Sequence, residues 1–377
     1  MITNKRILIV TTTDSMIGQF LLPHIKQLTD SGNIVECACH KTGFWFDEMV
    51  KDGLRVYEIP FARNPLKPTN LKAKKMLLKL CKENKYDLIH CHTPVGGVMG
   101  RIVGKKLNIP VLYIAHGFHF YKGAPLINTL IYKNIEKHYA KFTDALVVMN
   151  NEDFEAAKKM KAKRVYKING IGLLQQKTSA GDLEKLKLEL NISDDDIVLL
   201  SVGELNENKN HIAVLKALLK LDLNNIKYFV CGRGNKLDFY NEFIKENNLS
   251  NNVKFLGFRR DVLDILKLTD IFIMPSIREG LPVSIMEAMD AGLPIIASNI
   301  RGCVDLVTNN GILVNLENEN GFADAIKTLV DNKDLREQMG KNSKTNIKGF
   351  YIDTVLGQME KIYDNIFNVS ANLKSEK

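Results

Sequence analysis

Two successive series of short apolar runs, separated by helix-like stretches, restrict this chain to very few architectures. The first series is 7–11, 34–40, 55–59, 87–92, 111–115, 145–149 and 165–168. The second is 198–202, 226–231, 253–255, 271–274 and 295–298. Runs of this length, rich in Val and Ile and bounded by turn residues, read as buried strands. Strands that alternate with helices build β-α units, whose strands lie parallel in one sheet. At 377 residues the chain is also too long for one ordinary core. The expected fold class is therefore α/β, with two doubly wound, Rossmann-like domains: residues 1–172 and 173–351, joined by a linker near 169–182. Ligands of such sheets bind at the carboxyl ends of the strands, so chemistry is expected in a cleft that the two domains face. A last helical stretch, 352–368, follows the second domain, and the tail after Val369 is expected to be disordered.

Composition narrows the function classes. With 45% hydrophobic and 25% charged residues the chain has an ordinary globular balance. No apolar run approaches ~18 residues, so no membrane-spanning helix is expected. The run 7–10 stops at Thr11 and reads as a first strand, being too short for a signal peptide. Six cysteines (Cys37, Cys39, Cys81, Cys91, Cys231 and Cys303) show no zinc spacing and read as reduced thiols of a cytoplasmic protein. Charge is unevenly shared: residues 1–174 hold 27 Lys and Arg against 14 Asp and Glu, and the remainder holds 25 against 29. A basic first half calls for an anionic partner. Basic segments interleaved with aromatics are missing, so an anionic membrane surface or lipid carrier fits better than nucleic acid. The stretch 67–85 reads as an amphipathic helix. Leu71, Met76, Leu77, Leu78 and Leu80 form its apolar face, and Lys72, Lys74, Lys75, Lys79 and Lys82 form a solvated face suited to anionic lipid.

The most informative stretch is 276–296, SIREGLPVSIMEAMDAGLPII. Asp270 to Met274 leads in as a strand, Gly280-Leu281-Pro282 makes a turn, and a helical pattern runs to a stop at Gly292. Backbone N–H groups at such a helix start favour an anion. Glu279 lies in the loop and Glu287 about one turn into the helix. Two carboxylates beside an anion site suit a ligand with phosphates at one end and hydroxyls on both sides, as in a nucleotide-sugar.

An E-x7-E motif in this setting resembles the donor site of family 4 of the retaining glycosyltransferases, which are two-domain GT-B enzymes. The resemblance spans most of the chain and is strongest over 87–123 and 198–310. It implies that Glu279 lies beside the transferred sugar, that Glu287 holds the ribose hydroxyls, and that the amides of Gly280 and Leu281 bind phosphate or sugar oxygens. It also implies that the last helix crosses back onto the first domain. The loop after 111–115, HGFHF, is similar to that of the capsular and exopolysaccharide branch, which would place His116 on the donor sugar; His119 would orient it, meet the acceptor or serve local hydrogen bonding. Gly18 matches the glycine of the family's first loop. In the loop 203–211, Gly203, Lys209 and Asn210 match the family's phosphate-binding pattern, but Glu204 stands where an arginine is usual. Arg278 is expected to supply the missing charge. Cys231-Gly-Arg-Gly-Asn235 matches a turn that lines the base pocket. Asp261 is a good N-cap, and Arg259 is a candidate contact to base or phosphates.

Other motifs read as structural. The first loop, 12–18, lacks G-x-G-x-x-G, which argues against a dinucleotide-binding dehydrogenase. His90 and His92 share a strand face, but no third ligand of matching spacing accompanies them. Asp194-Asp195-Asp196 contains D-x-D, yet it falls in a polar turn. The reading is a metal-independent retaining glycosyltransferase without cofactor. Its donor is a nucleotide-sugar, most simply UDP-linked, and its acceptor a polyprenyl-diphosphate-linked saccharide. Location at the inner face of the cell membrane follows. A nucleotide-sugar epimerase of the same fold and a catalytically inactive binding scaffold remain as alternatives.

Overall fold

The computed structural model describes residues 2–175, 182–222 and 224–375. The chain divides into two compact units, Met1–Gly172 with Ile352–Lys377, and Leu173–Tyr351. Six residues of the expected linker, 176–181, lie outside the described residues.

The first unit holds a seven-stranded sheet of β1 (Arg6–Thr13), β2 (Ile34–His40), β3 (Val56–Glu58), β4 (Leu88–His92), β5 (Val111–Ala115), β6 (Ala145–Val148) and β7 (Val165–Lys167). Its order is β3-β2-β1-β4-β5-β6-β7, and every pairing is parallel. Central strands are covered on both faces, which is why β5 and β6 read as unbroken apolar runs and why β4, β5 and β6 are buried throughout. The edge strands β3 and β7 are three residues long and end in the charged Glu58 and Lys167. Short, charged edges discourage pairing with another chain.

The second unit holds β8 (Ile197–Val202), β9 (Ile226–Cys231), β10 (Val253–Gly257), β11 (Ile271–Met274), β12 (Ile295–Ser298) and β13 (Gly311–Val314). Their order is β10-β9-β8-β11-β12-β13, again all parallel. Both units are thus doubly wound, as expected. β13 is an addition to the expected strands: it is four residues long, follows the Asn309-Asn310 turn and is only half-buried for most of its length. In each sheet the strand order reverses beside the strand that starts the unit, between β1 and β4 and between β8 and β11. Loops leaving the carboxyl ends of those strands bound the crevice where such sheets bind ligands.

The helix Ile352–Ser375 belongs to the first unit. Val355, Met359, Ile362, Tyr363 and Ile366 recur on one face and are buried. Hydrogen bonds fasten it: Gln358 accepts from the Asn169 amide at 3.0 Å, and Arg164 donates to the Asn365 carbonyl at 2.9 Å. Its backbone is helical to Ser375. The helix Thr69–Asn84 corrects one expectation. Its buried face is Asn70, Ala73, Leu77, Leu80 and Cys81, at i, i+3, i+7, i+10 and i+11. Leu71 and Met76 point to solvent among the lysines instead. All six cysteines are free and buried.

Candidate functional site

In the second unit, Lys209 comes from the loop after β8 and Glu279 from the loop after β11, the two strands that flank the reversal of strand order. The Lys209 ammonium donates to Glu279 Oε1 at 2.7 Å, and both side chains are mostly buried. The two loops are stitched together by backbone and asparagine contacts. Ile277 N–H donates to the Asn208 carbonyl at 2.8 Å, Asn208 Nδ2 to the Arg278 carbonyl at 3.0 Å, and Asn210 Nδ2 to the Pro275 carbonyl at 3.1 Å. Asn210 holds this position in the left-handed region, φ 52°, which asparagine tolerates better than most residues.

Glycines let these loops pack backbone to backbone. A Cβ on Gly203 would sit 3.0 Å from the Lys209 stem, and one on Gly232 only 1.8 Å from the Gly203 carbonyl oxygen. A third loop, after β12, supports the acidic loop from below. Arg301 Nε donates to the Glu279 carbonyl at 3.1 Å, and a Cβ on Gly302 would lie 2.4 Å from the Gly280 carbonyl oxygen. Gly302 has φ 80°, so both space and backbone demand glycine there.

Glu287 lies on the helix Val283–Ala291, which ends as expected. Gly292 is left-handed, Leu293 N–H reaches the Ala288 carbonyl and Gly292 N–H reaches that of Met289, the Schellman pattern. At the other end, no side chain caps the helix. Among the described residues Glu287 has no hydrogen-bond or ion-pair partner. Burial pushes its carboxyl from the usual 4.5 up to about 7. The unit therefore holds a neutralised Lys–Glu pair on two loops at one sheet edge and, on the helix that leaves the second of them, a start without a side-chain cap and a largely desolvated carboxyl without a partner. Gly280 and Leu281 connect these features, Leu281 being buried.

Several expectations change. The Arg259 guanidinium is consumed locally: it forks onto Asp261 at 2.8 and 2.6 Å and reaches Glu189 at 2.6 Å. In the free chain it ties the segment after β10 to the helix Leu183–Leu190. Asp261 occupies the N-cap position without capping, because its carboxylate serves Arg259. Glu204 is exposed and accepts from Asn206 Nδ2 at 2.8 Å. Arg278 is exposed beside the pair. Asp194 and Asp195 are exposed, and Asp196 accepts from the Ser193 amide at 2.8 Å, which makes D-x-D a solvated turn. Gly18, in the first unit, is buried where a Cβ would strike the Trp45 ring at 2.3 Å; packing alone accounts for a glycine there.

The first unit gathers histidines at its own sheet edge. Alternation along β4 sets His90 and His92 on one face, with ring centroids 4.4 Å apart. His92 Nδ1 and His116 Nε2 share a hydrogen bond of 2.9 Å, His90 Nδ1 meets the Tyr363 hydroxyl at 3.0 Å, and His24 bonds the Ile171 carbonyl at 2.8 Å. Burial first, and neighbouring histidines second, depress these rings: His90 to about 3, His116 to about 4, and His92 well below its usual value. The stack is thus neutral, and Nε2 of His90 and of His92 lie buried without a partner. Among the described residues no group of three or more His, Cys, Asp or Glu side chains is arranged to hold a metal ion.

His116 also borders a cavity of about 970 Å³, lined as well by Thr12, Thr93, Val98, Met99 and Ile135. His119 lines it too, its ring 5.0 Å from that of Tyr132. Thr12 and Thr93 hydroxyls are 2.6 Å apart, joining the end of β1 to the loop after β4. Thr93 has φ 64°, a costly conformation for a β-branched residue that must be over-determined by its surroundings. Neither Thr93 nor Arg301 stands out in the sequence. An isolated threonine gives no sign of its backbone angle, and Arg301 acts on a loop twenty-two residues away. Asp14 is equally silent there. Burial would raise its carboxyl, but hydrogen bonds from Thr42, Gly43 and Phe46 outweigh that and hold it low, so it clamps the segment after β2.

Comparison with known proteins agrees with this layout. The family described as "Glycosyl transferases group 1" matches residues 182–346, and the one described as "Glycosyl transferase 4-like" matches 6–150. The chain is 32% identical to the putative glycosyltransferase EpsD of Bacillus subtilis (strain 168), over 98% of this chain and 99% of the relative. It is 32% identical, over 90% of each, to the UDP-Gal:alpha-D-GlcNAc-diphosphoundecaprenol alpha-1,3-galactosyltransferase of Escherichia coli. The fold is shared with Anabaena Alr3699/HepE, solved in complex with UDP, at a TM-score of 0.80 and 21% identity over 96% of this chain and all of that one. With matches that span both units and relatives aligned end to end, this chain belongs to family 4 of the GT-B glycosyltransferases.

Proposed function

We propose that the chain is a retaining glycosyltransferase that moves a hexosyl or N-acetylhexosaminyl group from a UDP-sugar to a polyprenyl-diphosphate-linked saccharide, in assembly of a capsular, exopolysaccharide or related surface glycan. The observation that carries this reading is the Lys209–Glu279 pair beside the partnerless Glu287. Lys209 and Glu279 neutralise each other while the site is free. A donor diphosphate would draw the ammonium away, and the released carboxylate would accept from sugar hydroxyls. Glu287 would accept from the two ribose hydroxyls, which replaces lost hydration with charge-assisted hydrogen bonds. The relative from Escherichia coli, named for a UDP-sugar and a diphosphoundecaprenol acceptor, supports both substrate classes.

In this reading the departing nucleoside diphosphate is stabilised by Lys209, by the amides of Gly280 and Leu281 and by Arg278. Gly203 and Asn210 shape the loop that carries Lys209, and His116 contributes a neutral ring to the sugar. The acceptor hydroxyl attacks from the face the leaving group vacates, and no metal ion takes part. A lipid-linked acceptor puts the reaction at the inner face of the cell membrane, and the excess of basic residues over 1–174 suits that surface.

A thermal-shift panel of UDP, GDP, dTDP and ADP tests the donor site. At a hundred times Kd, UDP should add about 2.7 kcal/mol to the folded state, and Glu287→Ala should abolish the gain. Absence of a shift with all four nucleotides would overturn the donor site. Turnover should survive a chelator, and its loss would refute metal independence. Epimerised sugar released without any acceptor would assign the chain to the epimerases.

A further inference from the structure

The first unit carries an apolar surface that its core does not explain. Leu126, Ile127, Leu130 and Ile131 open the helix Leu126–Ala140 and are between 52% and 82% exposed. Only later in that helix do side chains turn inward, Tyr132, Ile135 and Glu136 onto the cavity and Ala140 into the core. Leu66, in the segment that leads into the helix Thr69–Asn84, and Leu71, in the first turn of that helix, are 88% and 61% exposed. They line the same cavity. Single exposed aliphatic residues are ordinary; four clustered in the first turns of one helix, with two more on another segment that borders the same cavity, mark an interaction site.

The charges around it identify the partner. Residues 61–82 hold seven basic side chains and no acidic one. Residues 121–142 hold Lys122, Lys133, Lys137 and Lys141, and their one acid, Glu136, is buried and paired with Arg101 at 2.7 Å. The one exposed acid near the far end of the helix Thr69–Asn84, Glu83, is held by Lys79 at 3.7 Å, and an apolar surface beside so large an excess of cations matches the anionic headgroups and acyl boundary of a bilayer. A second copy fits worse, because a two-fold contact would set one cationic surface against another.

We infer that Leu126, Ile127, Leu130 and Ile131, together with Leu66 and Leu71, insert into an anionic membrane surface so that the cavity opens onto the bilayer. The purpose of this device rests on the reading of a lipid-linked acceptor. The acceptor head would reach His116 and the Thr12–Thr93 pair while its chain stays in the membrane.

The test is co-sedimentation of the full chain with vesicles of phosphatidylcholine, with and without phosphatidylglycerol, for wild type, Leu126→Gln/Leu130→Gln and Lys72→Gln/Lys75→Gln. All four side chains are exposed, so unchanged melting will confirm that the variants fold. Wild type should bind the anionic vesicles. The leucine pair should weaken binding on the order of a hundredfold, and the lysine pair about tenfold, an effect that fades at high salt. Turnover of a short-tailed, water-soluble acceptor should be the same in wild type and the leucine variant. If wild type turns that acceptor over but stays off anionic vesicles, or if the leucine variant binds them as wild type does, the inference fails. A dimer that the leucine variant disperses, with no vesicle binding, would assign the patch to a second copy and equally overturn it. Vesicle binding lost as expected, with no transfer to any acceptor, would uphold the patch and overturn the acceptor reading instead.

Discussion

Glu287→Gln should make the free protein more stable while destroying its nucleotide binding. Burial raises the Glu287 carboxyl from 4.5 to about 7, and no described side chain compensates it. A carboxyl raised by folding costs nothing below its unfolded pKa, where both states are protonated. The cost grows as pH climbs past 4.5 and levels off above 7, where the folded state must also ionise. A rise of this size corresponds to about 3 kcal/mol at pH 8 and under about 1 kcal/mol at pH 5. Glutamine keeps the shape and removes the charge, so it should stabilise the second unit by that difference between the two pH values. For a unit of this size about 2.5 kcal/mol amounts to roughly 5 to 10 °C in Tm. Calorimetry at pH 5 and pH 8, with and without UDP, reads it directly. The expected pattern is a Tm gain at pH 8 that mostly vanishes at pH 5, and no response to UDP. Equal gains at the two pH values, or destabilisation at pH 8, would refute the argument that Glu287 is held ionised at a cost to the fold.

Other perturbations follow from the same geometry. Lys209→Ala strands Glu279 without its partner and removes a cation from the departing diphosphate, so kcat/KM should fall about 10²–10³-fold. Arg278→Ala should fall comparably if that residue stands in for the usual arginine; steady-state assays showing near-normal Arg278→Ala would sink that role. His90, His92 and His116 are held neutral in the fold, while the unfolded chain takes up protons below about 6.5. Stability of the first unit should therefore drop on acidification, by up to about 1.4 kcal/mol per pH unit for each ring. His90→Asn should flatten that slope in urea titrations taken between pH 7 and pH 5. Gly302→Ala sets a methyl 2.4 Å from the Gly280 carbonyl at a left-handed φ. It should displace the Glu279 loop and weaken UDP binding, with a loss of about 1–3 kcal/mol in stability.

What the sequence reveals and what it hides divide along a physical line. Parallel strands covered on both faces are apolar along nearly their whole length, so β5, β6, β8, β11 and β12 are plain in the sequence. β13 is half-exposed at a sheet edge and gives no comparable run. Glu279 and Glu287 stand out by spacing, but the Lys209 partner lies seventy residues away, and the partnerless state of Glu287 is a property of its neighbours. Arg259 shows the converse, since nothing near it in sequence announces Glu189 on another helix. The two clearest departures from patterning are opposite in sign. Leu71 and Leu126 are apolar residues placed in water, and Glu287 is a carboxyl placed out of it. Glu287 costs the free protein stability that ribose hydroxyls would return on the proposed reading, whereas Leu71 and Leu126 forgo burial that the inferred bilayer contact would supply. Sequences break local rules where function asks for it. The helix Thr69–Asn84 therefore misleads a periodicity argument for a reason that is itself informative. Periodicity assumes that every leucine seeks the core, and here small Ala73 and polar Asn70 fill the buried face while Leu71 is kept for the outside.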